Sequence, residues 1–303
     1  MNMKYFLACL TATLLCLASP SLAQGLPGRS ADPYLGAIVI DAATGDVLFE
    51  DHADEQGYPA SVIKLLDLLV ILEQIDAGAV GLNDMVTITA EASTMGGSQV
   101  YLKEKEVFSV DDLLYALMVQ SGNDAAVALA IQVAGTKEGF VEMMAERAKA
   151  IGMNSSSIHS CHGLPPGAGQ EPDICTPRDI ATLCRELLKH KDTLRYTSTV
   201  ERGFRNDTFI MRNHNPLLSS FEGCDGFKTG FFSKAGYSMA VTAQRKGQRV
   251  IAVIIGSVDR KVRNAKAAEL LSKGFLELGK RTKAVPKGTA LPAGQVGPVR
   301  PSP

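Results

Sequence analysis

From Ser61 onward, Ile63, Leu65, Leu66, Leu69, Val70 and Leu72 leave no polar face on the helix that their spacing predicts. A helix that is apolar all round cannot lie on a surface, so any fold of this chain has to wrap other elements around that segment. Ser61 opens the run, and Lys64 follows on the same face one turn later. A hydroxyl and an amine therefore meet where the core begins, at a helix start whose free backbone N–H groups and positive dipole end favour a developing anion.

The wrapping elements are legible on both sides. Leu35 to Glu50 reads as two apolar strands around Ala42-Ala43-Thr44-Gly45-Asp46, a loop of hairpin length. Ser109-Val110-Asp111-Asp112 is a capping sequence, with Asp where a capping box has Glu. It predicts a helix through Leu113, Leu114, Leu117 and Met118 that stops at Ser121-Gly122. Further helices are predicted from Asn123 or Asp124 to Val133, from about Lys137 to Ala150, and from Thr176-Pro177 through Leu187. The last third changes period: Gly223 to Gly230, Ala235 to Ala243 and Gln248 to Ser257 are strand candidates, followed by a long helix from Asp259 to about Leu278. Strands from both ends with helices between them predict an α+β domain, an antiparallel sheet flanked by helices with a mostly helical subdomain.

Residues 1–23 read as an export signal: Lys4, an apolar run from Tyr5 to Ala18, then Ser21-Leu22-Ala23 as a small-x-small cleavage site. The expected location is outside the cytoplasm, periplasmic or extracellular. A linker at 24–33, a domain at 34–281 and a disordered Pro/Gly-rich tail at 282–303 complete the expected organisation. No later run is apolar for the roughly 20 residues of a membrane helix, so no stable membrane anchor is expected. A net charge of -1, with Lys and Arg spread along the chain, lacks the basic patch of a nucleic-acid binder. Cys161 and Cys175 flank a Pro/Gly-rich stretch that a disulfide could staple, whereas Cys184 fits a buried thiol.

Three short motifs occur once each: Ser61-Val62-Ile63-Lys64, Ser121-Gly122-Asn123 and Lys228-Thr229-Gly230. Each alone has an ordinary reading as an exposed lysine, a helix cap or a strand end. Structural needs do not call for all three in one order. A serine hydroxyl needs a base, and Lys64 can be one if an apolar pocket and a second cation such as Lys228 hold its amine neutral. Ser121 is a candidate proton relay to a leaving group, and Asn123 a candidate amide for a substrate carbonyl. Lys228 and Thr229 bring donors for a carboxylate, while Gly230 lets an extended peptide approach the strand. The set predicts nucleophilic acyl transfer without a metal or organic cofactor.

Around these motifs stand Tyr58-Pro59-Ala60, Asp124-Ala125-Ala126, His162-Gly163-Leu164 and Ala235-Gly236. With them the chain, from about Leu35 to Leu278, resembles the low-molecular-mass serine D-alanyl-D-alanine carboxypeptidases, a family of penicillin-binding proteins. The resemblance implies the beta-lactamase/transpeptidase-like fold, with Ser61 as acyl-enzyme nucleophile, Lys64 as its base, and Ser121 with Lys228 assisting proton transfer. It further implies an oxyanion hole from the N–H groups of Ser61 and Phe231, and recognition of a terminal carboxylate by Thr229 and Arg263. Peptidoglycan peptides are the implied substrates and beta-lactams the implied covalent inhibitors. Likeness to the shorter, single-domain members extends the expected substrates from D-alanyl ends to cross-links.

Three rival readings are weaker. A class A beta-lactamase needs a glutamate, usually within Glu-x-x-Leu-Asn, and Glu171-Pro172-Asp173-Ile174-Cys175 lacks the Leu-Asn, so stable acylation by penicillin is expected. A metal site from His159, Cys161 and His162 with Asp173 or Cys175 fits no standard zinc spacing. A wall-binding module that has lost turnover sits poorly with three intact motifs.

Overall fold

In the computed structural model, which describes residues 33–284, the all-apolar segment forms a central helix, α1 (Lys64–Asp76), buried from Lys64 to Leu72. Ahead of it stand β1 (Gly36–Asp41), β2 (Val47–Asp51) and a single 3-10 turn, Ala60–Ile63. Behind it follow β3 (Met85–Thr87), α2 (Ala90–Ser93), β4 (Val107–Ser109), α3 (Val110–Met118), α4 (Asn123–Ala134), α5 (Lys137–Ala150) and α6 (Pro177–Leu187). The chain then forms α7 (Thr193–Thr197), β5 (Glu201–Phe204), β6 (Phe209–Arg212) and α8 (Leu217–Ser220). It finishes with β7 (Cys224–Phe232), β8 (Gly236–Arg245), β9 (Gln248–Ser257) and α9 (Arg260–Ala284). The expected export signal, the linker up to residue 32 and the tail beyond 284 lie outside the described residues.

Strands from both ends assemble one antiparallel sheet in the order β2-β1-β9-β8-β7. Side chains alternate across a strand, and the sheet uses both faces. Ile38, Ile40, Ile251, Val253 and Ile255 join α1 and α6 in the larger core, while Val39, Val241, Val250, Ala252 and Ile254 pack against Leu270 and Leu271 of α9. This two-sided burial explains why β9 is an almost unbroken Val/Ile run. Helices α3, α4, α5 and α6 enclose the remaining sides of α1, as its lack of a polar face required.

Local signals hold the helices in register. Ser109 Oγ accepts from Asp112 N at 3.1 Å and donates to the Asp112 carboxylate at 2.8 Å, while Thr136 and Thr176 cap α5 and α6. Cys161 and Cys175 are free, buried thiols. The stretch between them is tied by backbone pairing instead: Cys175 exchanges both bonds with Gly57 at 2.9 Å, and Ile174 pairs with Ser157. Helix α9 continues past Leu278 to Ala284, so its end overlaps the first residues of the expected tail. No helix among the described residues is long and apolar enough to cross a membrane.

Candidate active site

All three motifs meet beside the outer edge of β7. Ser61 lies in the 3-10 turn rather than in the first turn of an α-helix, and Lys64 is the first residue of α1. Gly230 is what lets β7 approach: a Cβ there would lie 2.5 Å from Pro59 O and 3.0 Å from Ser61 N. Ser121 occupies the connection between α3 and α4 with φ +63, left-handed for a residue that carries a Cβ. That conformation is held by backbone bonds from Gly122 N to Ala116 O and from Asn123 N to Ser98 O, at 3.0 and 2.8 Å.

Lys64 is fully buried, and its Nζ has three neighbours: Asn123 Oδ1 at 2.6 Å, His162 O at 2.7 Å and Ser61 Oγ at 3.1 Å. Two of these are obligate acceptors. The Asn123 amide is oriented by its own Nδ2, which donates to Gly96 O at 2.6 Å. A neutral amine therefore spends both its N–H groups on Asn123 and His162, and its lone pair points at the Ser61 hydroxyl. Burial draws the Lys64 pKa down to about 8, against the pull of Asp67 and weaker pulls from Cys161, Asp124 and Asp173. Burial also holds Lys228 well below the usual lysine range, with the charges of Lys64 and Arg263 adding to the effect.

The serine opens onto a cavity of about 890 Å³ whose lining includes Ser61, Ser121, Thr229, Gly230, Phe231 and Arg263. Ser121 Oγ is buried and has no hydrogen-bond partner among the described residues. Lys228 lies behind the wall and donates to Thr229 O at 3.2 Å. Arg263 is buried, and burial lowers its pKa to about 10. Its guanidinium donates to Asn264 Oδ1 and, at 3.3 Å, to Ser238 O, with no carboxylate partner among the described residues. A buried arginine fork on a cavity wall, without an ion-pair partner among the described residues, has donors suited to a carboxylate. Phe231 is half exposed and stacks on Tyr237 with 4.2 Å between centroids.

Asn123 differs from its sequence expectation. It is buried behind the cavity wall, with its carbonyl on Lys64 and its amide on Gly96, so its observed contact is with Lys64. Two further residues on the cavity, His214 and Tyr237, were not found from sequence. Desolvation in the cleft, then the charges of Lys228, Arg263 and Lys64, push the His214 imidazole down to about 4. A lone His between two Asn carries no motif, so nothing in the sequence marked it. Glu171 is exposed, and Asp173 is spent on His159 N, Ser160 N and Ser160 Oγ at 2.7, 2.9 and 2.5 Å. No group of three or more His, Cys, Asp or Glu among the described residues could hold a metal ion.

Known proteins resemble this chain in sequence and fold. The chain is 34% identical over 259 residues to the D-alanyl-D-alanine carboxypeptidase DacF of Bacillus subtilis, covering 83% of this chain and 66% of that one. It is 35% identical over 246 residues to DacC of Escherichia coli, covering 78% and 60%. The chain thus spans about three fifths to two thirds of the length of these relatives. Penicillin-binding protein D2 of Listeria monocytogenes, in its ampicillin-bound form, superposes with a TM-score of 0.73 at 28% identity, covering 82% of this chain and 99% of that one. Residues 33–259 match the model of Peptidase_S11, D-alanyl-D-alanine carboxypeptidase, and the chain belongs to that family.

Proposed function

We propose that this protein is an exported serine D,D-peptidase that cleaves the terminal D-alanyl-D-alanine bond of peptidoglycan stem peptides through an acyl-enzyme on Ser61. The observation that carries this reading is the Lys64 amine, 3.1 Å from Ser61 Oγ, with its two other contacts reserved for acceptors. Lys64 takes the proton as Ser61 attacks the carbonyl, and the N–H groups of Ser61 and Phe231 receive the oxyanion. Arg263 and Thr229 hold the terminal carboxylate. Ser121, with Lys228 behind it, passes a proton to the departing D-alanine amine, and water then releases the acyl group.

Beta-lactams acylate the same serine, in keeping with the ampicillin-bound Listeria relative. Neither Glu171 nor Asp173 lines the cavity that holds Ser61, which supports a long-lived penicilloyl adduct over fast turnover. Export rests on residues 1–23. Incubation of the purified protein with a pentapeptide and with penicillin, followed by mass spectrometry, tests the proposal. Loss of one D-alanine and a stable adduct are expected, both absent from Ser61→Ala. A Ser61→Ala protein that still releases D-alanine would remove Ser61 from the mechanism.

A further inference from the structure

Two cavities flank Ser61 along the free edge of β7. The first, described above, lies on the Thr229 side and carries Arg263. The second, of about 500 Å³, lies past the other end of the strand, walled by Tyr58, Phe232, Pro165, Pro166 and Pro172, with Lys234 as the one charged residue of its lining. Tyr58 joins it to the catalytic serine: it precedes Ser61 by three residues, packs on Phe232 at 5.5 Å between centroids, and carries the Lys234 ammonium 5.2 Å from its ring centre. A strand advances about 3.3 Å per residue, so Phe232 lies about 7 Å beyond the Gly230 contact with Ser61.

The direction of a bound peptide follows from its anchor. With the carboxyl end at Thr229 and Arg263 and the scissile carbonyl at Ser61, a peptide on the β7 edge sends its upstream residues towards Phe232 and Lys234. The residue just before the D-alanyl pair then brings its side chain to the second cavity. Three prolines and two aromatic rings suit a hydrocarbon stem, and an ammonium at the rim suits an anion at its end while opposing a cation.

We propose that this second cavity is a specificity subsite for the residue preceding D-alanyl-D-alanine, favouring a methylene side chain that carries a carboxylate over one that ends in an ammonium alone. The proposal rests on the D,D-peptidase reading above. Two pentapeptides test it, one with diaminopimelate and one with lysine at the third position, because they differ by a single carboxylate at the end of the same stem. In each preparation, active enzyme is titrated with a fluorescent penicillin, and kcat/KM is measured for both peptides.

The expected ratio in favour of diaminopimelate is about twofold to fivefold, since a rim ion pair is a modest interaction. Lys234→Ala should bring the ratio close to one, and Lys234→Glu should invert it. Phe232→Ala should slow both peptides by a similar factor. Equal rates for the two peptides with wild-type enzyme would overturn the subsite while leaving the peptidase reading intact. A preference for lysine would also overturn it and would point to Glu171, the acid beside Pro172, as the dominant charge. Release of D-alanine from neither peptide would remove the reading on which the subsite rests.

Discussion

Asn123 offers the sharpest test of how the base is prepared. Its Oδ1 sits 2.6 Å from Lys64 Nζ and is one of two obligate acceptors that leave the amine lone pair for Ser61. In Asn123→Ala that acceptor is gone, and a buried N–H without a partner costs about 1–3 kcal/mol. The amine can recover a bond only by turning an N–H towards Ser61, which removes the lone pair from the reaction. If that cost appears in the transition state, acylation slows by about fivefold to 150-fold. Asn123→Asp makes the opposite perturbation: it keeps an acceptor but adds a negative charge against the amine, which favours the ammonium. Lys64 titrates at about 8 in the native protein, so acylation should climb with pH through that value. In Asn123→Asp the climb should move upward by about one unit or more, the usual effect of an adjacent opposite charge. The assay is the second-order rate of acylation by a fluorescent penicillin between pH 6 and 10, with melting temperatures to verify the fold. An Asn123→Ala rate within twofold of wild type, or an unmoved Asn123→Asp profile, would refute the argument from lone-pair direction.

Two further outcomes follow from buried features of the same region. Asp67, one turn beyond Lys64, is buried with no partner for either carboxylate oxygen among the described residues, and burial holds its pKa well above the usual range. Its folded pKa is raised, so its contribution to stability is complete below the unfolded pKa and is lost as pH rises through the folded one. Relative to Asp67→Asn, wild-type stability from urea unfolding should therefore fall as pH rises above the ordinary aspartate value of about 4, by up to about 1.4 kcal/mol per pH unit, and parallel curves would contradict this. Gly230→Ala would drive a Cβ to 2.5 Å from Pro59 O, so β7 must retreat from the turn that carries Ser61. Acylation should fall at least about fivefold for an overpacking cost of about 1–3 kcal/mol, and a rate within twofold of wild type would show that this close approach is dispensable.

Long, periodic segments were legible because burial imposes a period on them. The spacing from Ile63 to Leu72 required a surrounded helix, and Ser109, Lys137 and Thr176 marked helix starts that the structure reproduces within a residue. Short elements were not legible. Strands β3 and β4 have three residues each, too few for alternation to register. The hairpin β5–β6 turns through Arg205, Asn206 and Asp207, all with positive φ, where the sequence offers no glycine to announce it. The suggested disulfide fails for a related reason: sequence spacing alone suggested a staple, but both thiols are free, and the pairing of Cys175 with Gly57 and of Ile174 with Ser157 already ties that stretch.

Within the site, sequence identified the chemical types and missed the partnerships. An Asn two residues after a Ser is equally able to face a substrate or a lysine, and only the position of Gly96 O decides, by taking Nδ2 and turning Oδ1 towards Nζ. The residues proposed to carry the chemistry are also those that depart from ordinary folding rules. Ser121 is left-handed with an unpaired hydroxyl, Ala60 beside Ser61 has φ +48, and Lys64, Lys228 and Arg263 are basic side chains inside the protein without carboxylate hydrogen-bond partners among the described residues. Each departure costs of the order of 1–3 kcal/mol or more, and none would persist in a loosely packed region. They persist here because the turn, α1 and the α3–α4 connection are fixed by the buried cluster around Ile63, Leu65, Leu66 and Leu117. The all-apolar helix that dictates the fold is thus also what allows a lysine to sit at its head as an amine, since a helix with a wet face would return that lysine to water and to its charge.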